Sequence, residues 1–290
     1  MTEIYNKLLE HKQINFDLAI KDYEKLKVLN TNTSMNSRVG TKFIDYYTFK
    51  QRLHTRGIKN MNYLEFVSDD EYLSRPYIKN LIEYQKNKGV NPNVMLWEIF
   101  KFHCGCISSI KPISIKRILQ IYTPKSVLDP FMGWGSSLVT CCAMDIPKFT
   151  GIEINQDLQE PYNKMATQLT KLGTLTDIHL IFNNSRYFNY SSISYDFVFT
   201  SPPYYNKEQY WTGSEFIKLT TEQWDKLYID VFSAVYLNLK RGGYMCINCP
   251  SNIYVLILGL FGNELIKFPL NQCKRYNNEY QEFIYVWKRF

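Results

Sequence analysis

Apolar residues along this chain follow two different spacings, and the change falls near residue 125. Before that point, apolar positions recur at helical spacing. The last such stretch covers residues 104–125 and is ended by Pro124; its apolar positions include Ile113, Ile115, Ile118, Leu119 and Ile121. After it, short apolar runs at 127–129, 149–154, 178–182, 197–200 and 244–248 predict buried strands. Helical stretches at 136–145, 157–172, 221–239 and 252–261 lie between or after these strands.

This alternation of strands and helices predicts an α/β fold. Because the links are short, we expect a mostly parallel sheet that is covered by helices on both faces. Two closing strands, at 265–270 and 280–288, have no helix between them, so we expect an antiparallel C-terminal edge and seven strands in all. Ligands of such sheets bind at the carboxyl ends of the strands, near the topological switch point.

The N-terminal part of the chain is basic. Residues 1–120 carry a net charge of +7, and residues 121–290 a net charge of zero. Residues 1–103 are predicted to be mainly helical, with a polar loop at 31–37 and breaks near Pro76 and Pro92. A basic segment beside a neutral domain favours a polyanion as partner, but a solvated basic face fits the same charge.

Residues 38–60 interleave cations with the aromatic residues Phe43, Tyr46, Tyr47 and Phe49. Two interpretations fit this pattern. The first is contact with phosphates combined with stacking of bases on the rings. The second is an amphipathic helix whose aromatic side chains lie in the core.

The remaining composition indicates a globular intracellular protein. The apolar run at 253–261 is too short to span a bilayer, and the first residues do not resemble a signal peptide, so we expect a cytoplasmic, reducing location. The seven cysteines are then expected to be free thiols. His103 with Cys104 and Cys106, and Cys246 with Cys249, raise the alternative of zinc. The spacing of the first group and the core-strand setting of the second argue against a metal.

The stretch SVLDPFMGWG at 126–135 leads from the first strand through a glycine-rich turn into a helix. Gly133 and Gly135 can adopt positive φ and allow a ligand to approach the backbone, although a plain strand-to-helix turn has the same pattern. Glu153 ends the second strand, where an acid can accept hydrogen bonds from a ribose. Leu138 replaces the third glycine of a dinucleotide motif, and Asp129 suits a cationic ligand group rather than a pyrophosphate.

Ser201, Pro202, Pro203 and Tyr204 follow another predicted strand. The two prolines restrict φ and remove two N–H donors, so carbonyl oxygens of this motif are expected to stay free and to point in set directions. A hydroxyl, a carbonyl and an aromatic ring would suit a flat group that carries an amine, such as a flipped-out nucleobase. Taken alone, the motif also fits a Pro-Pro strand terminator followed by a surface tyrosine.

In this order, DPFMGWG, GIEIN and TSPPY resemble the motifs of S-adenosylmethionine-dependent amino methyltransferases of nucleic acids. Those enzymes methylate adenine at N6 or cytosine at N4. The similarity extends over about residues 104–290, including Lys111-Pro112, the LKRGG stretch and the final EYQEFIYVWKRF. The stretch TSPPYYNKEQYW is most similar to phage and giant-virus members.

The resemblance implies a Rossmann-like methyltransferase domain at 104–290, a basic helical accessory region at 1–103 and S-adenosylmethionine as the cofactor. It also implies direct in-line transfer of the methyl group to an exocyclic amine of a DNA base. The implied catalytic residues are Ser201, Pro202, Pro203 and Tyr204. The implied cofactor-binding residues are Lys111, Pro112, Asp129, Phe131, Gly133, Gly135, Glu153 and Asn184.

Two positions depart from the family pattern. Asn184 replaces an aspartate near the cofactor adenine, and Trp134 replaces a small residue of the loop, where it is expected to narrow the cofactor site. Because of these two departures, a protein that binds nucleic acid but has lost catalysis remains an alternative. RNA remains an alternative substrate. Because position 201 is serine rather than aspartate, cytosine N4 is slightly favoured as the methylated atom, and adenine N6 remains an alternative. Sequence readout is expected from the basic N-terminal region and from the loop at 205–216.

Overall fold

The computed structural model describes residues 6, 8–10, 12, 14–31, 37–105, 109–205, 209–270 and 282–290. Several predicted features lie wholly or partly outside these residues. They are positions 32–36 of the polar loop, Cys106 of the first possible zinc group, positions 206–208 of the readout loop and positions 280–281 of the last strand.

Short helices make up most of the described N-terminal region. The two predicted breaks are confirmed, because Pro76 and Pro92 each begin a helix at a position where no backbone N–H is required. Asn62 and Glu65 form a reciprocal capping box with hydrogen bonds of 2.8 and 2.9 Å. The helices are α1 (Phe16–Val28), α2 (Thr41–Arg52), α3 (Tyr63–Ser68), α4 (Asp70–Ser74), α5 (Pro76–Asn87) and α6 (Pro92–His103).

The helix before the sheet is shorter than the predicted stretch of 104–125. Helix α7 covers Pro112–Tyr122, so the prediction is wrong about its start. Proline at the first helical position marks that start. The helix ends because Thr123 adopts a left-handed conformation with φ 45° and Pro124 follows it.

The sheet confirms the predicted α/β fold of the Rossmann-like methyltransferase type. Within the described residues it has seven strands in the order β3-β2-β1-β4-β5-β7-β6. The first five run parallel, and β7 pairs antiparallel with β5 and β6 at the C-terminal edge. The strands are β1 (Ser126–Asp129), β2 (Lys148–Glu153), β3 (Asp177–Phe182), β4 (Phe197–Thr200), β5 (Tyr244–Cys249), β6 (Ile266–Pro269) and β7 (Phe283–Lys288).

Helices cover both faces of this sheet, and the strand residues alternate between two hydrophobic clusters. Val127 joins the cluster formed with α1, α2 and α7, whereas Leu128 joins the opposite one. This alternation follows from the two-residue period of a strand. The helices that follow α7 are α8 (Ser136–Ala143), α9 (Gln159–Lys171), α10 (Thr221–Asn238) and α11 (Ser251–Phe261). None of the described helices is long and apolar enough to cross a membrane.

The basic and aromatic stretch at 38–60 contributes to the core. Phe43 and Phe49 are buried, and Phe43 belongs to the same hydrophobic cluster as β1. Of the two interpretations of this stretch, the amphipathic helix with core aromatics is therefore confirmed for these rings. Phe49 packs with Tyr63 and Trp97 in a third cluster made by the N-terminal helices.

Lys116 connects the N-terminal helices to the sheet domain. This buried lysine on α7 donates hydrogen bonds from Nζ to the carbonyls of Leu26, Lys27 and Leu29 at 2.6, 2.9 and 3.0 Å. These carbonyls belong to the C-terminal end of α1, where a helix leaves them unpaired. Burial lowers the pKa of Lys116.

We expect Lys116→Met to destabilise the protein by about 2 kcal/mol, because methionine fills the space but donates no hydrogen bond to the three carbonyls. Urea unfolding would measure the change, with the exposed Lys125→Met as the control. Equal unfolding midpoints for the two variants would contradict this role of Lys116.

Candidate active site

The candidate site lies where β1 and β4, adjacent strands at the centre of the sheet, reach their carboxyl ends. The chain leaves β1 toward β2 on one side, and β4 leads to β5 on the other, so this is the topological switch point. Asp129 ends β1 and Thr200 ends β4. The Thr200 hydroxyl donates to Asp129 Oδ1 at 2.7 Å, which joins the two strand ends directly.

Asp129 is almost completely buried, with 2% of its surface exposed. Its carboxylate also accepts a hydrogen bond from the N–H of Phe131 at 3.1 Å and one from the hydroxyl of Ser137. Burial raises its pKa to about 6, and the three hydrogen bonds oppose that shift. The carboxylate therefore connects β1, the glycine-rich loop, the start of α8 and the end of β4.

The glycine-rich loop adopts the conformation that its sequence predicts. Gly133 has φ 56° and Gly135 has φ 104°, a region that glycine occupies without strain. A Cβ atom on Gly135 would lie 3.4 Å from Tyr162 Oη and from two side-chain atoms of Met165. The predicted binding residue Phe131 lies at the other side of the loop, where its ring makes an edge contact with Phe232.

Glu153 holds this loop against the end of β2. The carboxylate accepts hydrogen bonds from the N–H groups of Gly133 and Asn155, at 2.8 and 2.9 Å. Burial, with a smaller contribution from the nearby Asp129, raises the pKa of Glu153 to about 7, and the backbone hydrogen bonds oppose that shift. The structure thus brings two buried carboxylates to one loop.

These carboxylates should make stability depend on pH. Because both pKa values are raised in the folded state, the folded protein binds protons that the unfolded chain has released. We therefore expect the free energy of unfolding of the cofactor-free protein to fall as pH rises from about 4.5 to about 7. Urea unfolding across this range would measure it, and a stability that rises over the same range would contradict it.

The Ser-Pro-Pro-Tyr motif follows β4 directly. Tyr204 donates a hydrogen bond from its hydroxyl to Asn248 Oδ1 at 3.0 Å, and the Ser201 hydroxyl lies 3.2 Å from the same oxygen. The Pro203 carbonyl accepts a hydrogen bond from the Tyr228 hydroxyl at 2.6 Å, so the expectation that the carbonyls of this motif stay free is wrong at this residue. Pro202 is buried beside it.

Sequence reasoning missed Asn248. It lies in β5 between Ile247 and Cys249. Because most residues of this strand are buried, the stretch has the pattern of a core strand and does not point to a functional residue. An amide in the middle of a buried strand was the available signal, because buried polar groups need hydrogen-bond partners.

Trp134 packs toward the N-terminal helices, and its effect on the cofactor site stays a prediction. Its side chain is buried in the cluster shared with α2, and its carbonyl accepts a hydrogen bond from the Thr48 hydroxyl at 3.2 Å. The Arg52 guanidinium lies 5.8 Å from the Trp134 ring centre. Trp134 therefore joins the glycine-rich loop to the N-terminal helices.

Three further predicted cofactor residues have defined positions. Lys111 immediately precedes α7, and the Pro112 carbonyl is 3.5 Å from the Thr140 hydroxyl of α8. The Asn184 side chain accepts a hydrogen bond from the Arg186 N–H at 3.0 Å and so caps a single turn of 3₁₀ helix. Their roles toward a cofactor remain predictions.

The loop after Ser-Pro-Pro-Tyr contacts the N-terminal region, which sequence reasoning did not foresee. Gln209 and Arg56 exchange backbone hydrogen bonds of 2.8 and 3.2 Å, and the Arg56 guanidinium lies 4.2 Å from the Phe216 ring centre. Further along the loop, Trp211 Nε1 donates to Asp157 at 2.8 Å, just beyond β2. The two regions from which sequence readout was expected are therefore in direct contact.

No metal site is found in the part of the chain that the structure describes, where no three His, Cys, Asp or Glu side chains are grouped to hold an ion. Cys246 and Cys249 are buried in β5, as the core-strand interpretation predicted.

Comparison with known proteins relates this geometry to a family. Residues 195–289, which include the Ser-Pro-Pro-Tyr motif, match the N6_N4_Mtase family model, described as DNA methylase. A search of the curated proteins finds no match. The family implies S-adenosylmethionine as the cofactor.

Solved structures show similarity at low sequence identity. TrmN from Thermus thermophilus is 17% identical with a TM-score of 0.45, and the match covers 63% of this chain and 50% of TrmN. An rRNA methylase from Streptococcus thermophilus is 13% identical with a TM-score of 0.41, over 63% of this chain and 99% of that one. An O-methyltransferase from Thermotoga maritima that depends on S-adenosylmethionine is 16% identical with a TM-score of 0.41, over 66% and 70%. This chain thus spans half the length of TrmN. The match of residues 195–289 to the model of the N6/N4 DNA methylase family supports the resemblance seen in the motifs of this chain.

Proposed function

We propose that this protein transfers a methyl group from S-adenosylmethionine to an exocyclic amine of a DNA base, cytosine N4 or adenine N6. One observation carries the proposal. The Ser-Pro-Pro-Tyr motif begins directly after Thr200, whose hydroxyl binds Asp129 of the glycine-rich loop at 2.7 Å. The pocket proposed for the base and the loop proposed for the cofactor are therefore neighbours at the switch point of the sheet.

The residues of the loop fit the cofactor. Two buried carboxylates, Asp129 and Glu153, suit a ligand that presents an ammonium group and ribose hydroxyls, and they would repel a pyrophosphate. Asp129, Phe131, Gly133 and Gly135 would hold the methionine part. Glu153 would accept hydrogen bonds from the ribose. Lys111, Pro112 and Asn184 complete the proposed set. When bound, the cofactor supplies an electrophilic methyl group on a sulfonium.

The protein's own residues position the base. The Ser201 oxygen would accept an N–H of the target amine, and the Tyr204 ring, whose hydroxyl is anchored on Asn248, would pack on the face of the base. The two prolines hold the backbone between them. In this arrangement the protein contributes orientation and electrostatics to an in-line transfer, without a covalent intermediate.

We assign catalysis to residues 104–290 and contact with nucleic acid to the basic region at 1–103. Support comes from the net charge of +4 carried by residues 1–103, which hold 16 Lys/Arg and 12 Asp/Glu, and from the contact of Arg56 with the loop after Ser-Pro-Pro-Tyr. An RNA base is the alternative substrate, and the experiment below separates the two.

The test is methyl transfer from tritiated S-adenosylmethionine to double-stranded DNA, single-stranded DNA and total RNA in parallel. We expect label in DNA, and we expect Ser201→Ala and Tyr204→Ala to lower it by about 100-fold or more, because each removes a group that orients the amine. Ser191→Ala, an exposed serine elsewhere, serves as the control. Nucleoside analysis of the product names the base.

Two outcomes would contradict the proposal. Label in RNA alone would replace DNA with RNA as the substrate. If no polymer is labelled while calorimetry shows that the cofactor binds, a non-catalytic binding protein is the better description.

A further inference from the structure

Asn248 is held in one orientation by the sheet. It is 3% exposed, and its Nδ2 donates a hydrogen bond to the Phe283 carbonyl of β7 at 3.1 Å. A carbonyl oxygen can only accept, so the nitrogen end of the amide must face Phe283. The Oδ1 end therefore faces the Ser-Pro-Pro-Tyr motif.

This orientation determines the direction of the hydrogen bonds in the motif. Asn248 Oδ1 accepts a hydrogen bond from Tyr204, at 3.0 Å, and from Ser201, at 3.2 Å. The Ser201 and Tyr204 oxygens are 3.3 Å apart. Because the single hydroxyl proton of Tyr204 goes to Asn248, Ser201 donates to either neighbour but cannot accept from Tyr204. In both cases the Ser201 proton stays within this cluster, and the Ser201 oxygen keeps lone pairs with which it can accept a hydrogen bond from a ligand.

A serine hydroxyl on its own does not discriminate, since it can donate to a carbonyl or accept from an amine. The exocyclic amines of adenine and cytosine are donors, whereas hypoxanthine and uracil carry a carbonyl at the same place. We propose that Asn248 is a positioning residue that makes Ser201 a hydrogen-bond acceptor and thereby selects bases with an amine over bases with a carbonyl. This assignment rests on the proposed function.

The first test is a double-mutant cycle on kcat with Asn248→Ala, Ser201→Ala and the combined variant. We expect Asn248→Ala to lower kcat about tenfold when Ser201 is present and to change it less than about twofold when Ser201 is already alanine. The dissociation constant of the cofactor should stay unchanged. Equal losses in both backgrounds would overturn the assignment, because a merely structural role does not depend on Ser201.

Two more variants guard against a general loss of folding. Asn238→Ala removes an amide that donates to the Ala234 carbonyl at 2.8 Å away from the site, and it serves as the matched control. Asn248→Asp keeps an acceptor oxygen toward the two hydroxyls and, when protonated, a donor toward Phe283. We therefore expect it to restore kcat to within about threefold of the original at mildly acidic pH. An Asn248→Asp variant as impaired as Asn248→Ala would count against the assignment.

The second test needs no methyl transfer. Calorimetry with S-adenosylhomocysteine present would compare decamers of deoxyadenosine with deoxyinosine, and of deoxycytidine with deoxyuridine. We expect the amine-bearing decamer of at least one pair to bind about tenfold more tightly, and Asn248→Ala to bring that ratio to about one. A ratio near one in the unmodified protein, or a ratio that Asn248→Ala leaves unchanged, would overturn the assignment. If the unmodified protein labels no polymer, the proposed function fails, and this ratio still tests Asn248.

Discussion

Replacing Glu153 with glutamine should lower the affinity for S-adenosylmethionine by about 100-fold and destabilise the protein by about 1–3 kcal/mol. This carboxylate accepts hydrogen bonds from the backbone N–H groups of Gly133 and Asn155. An amide keeps only one acceptor oxygen, and its NH₂ group would meet the second N–H. A buried donor is then left unpaired, and the loop at Gly133 loses its anchor.

Calorimetric titration with the cofactor and urea unfolding measure the two effects. Glu160→Gln is the matched control, because Glu160 is exposed on α9, where it forms an ion pair with Lys164. Unchanged affinity in Glu153→Gln would contradict the placement of the ribose at the end of β2. Unchanged stability would contradict the role of Glu153 as the anchor of the loop.

The same kind of change at Asp129 should also weaken cofactor binding, but it should affect stability less. We expect Asp129→Asn to keep stability within about 1 kcal/mol while the cofactor affinity falls about tenfold. Among the described residues, its Oδ2 accepts a hydrogen bond from the hydroxyl of Ser137, which can rotate and accept from an amide nitrogen instead. The N–H of Phe131 and the hydroxyl of Thr200 keep their acceptor at Oδ1. The negative charge for the ammonium group is lost.

Asp129→Ala should be much more severe. It leaves the N–H of Phe131 and the hydroxyls of Ser137 and Thr200 without their buried acceptor, and it opens a cavity at the switch point. We expect a loss of about 3 kcal/mol in the free energy of unfolding together with loss of methyl transfer. Urea unfolding and cofactor calorimetry on the two Asp129 variants measure the contrast.

Comparing the two substitutions distinguishes the contribution of Asp129 to stability from its contribution to cofactor binding. If Asp129→Asn bound the cofactor normally, the charge would serve only the fold, and the proposed contact with the ammonium group would be wrong. If Asp129→Asn and Asp129→Ala were equally unstable, the argument from the rotatable hydroxyl of Ser137 would fail.

The N-terminal region shows why local patterns can be ambiguous. Phe43 and Phe49 alternate with cations at a spacing that fits both a core-facing helix and a surface for nucleic acid. The structure buries both rings, while Lys50 on the same helix remains exposed. Whether the aromatic face of an amphipathic helix is buried depends on what packs against it. Helix α2 packs against residues that lie much later in the chain, in the hydrophobic cluster that includes β1.

The sequence by itself determined the order of helices and strands in the sheet domain, the parallel sheet with its antiparallel edge, and the strand ends that carry Asp129, Glu153 and Ser201. Those features follow from the two-residue and 3.6-residue periods and from glycine and proline, which act locally. Only the tertiary structure brought Asn248 to Ser201 and Tyr204, turned Trp134 toward α2, and paired Arg56 with the loop after Ser-Pro-Pro-Tyr. These partners are distant in the chain. They come together only when the helices and strands pack, because buried polar groups then need hydrogen-bond partners and aromatic rings need neighbours to pack against. The periodicity of the sequence therefore does not predict which distant residues become partners.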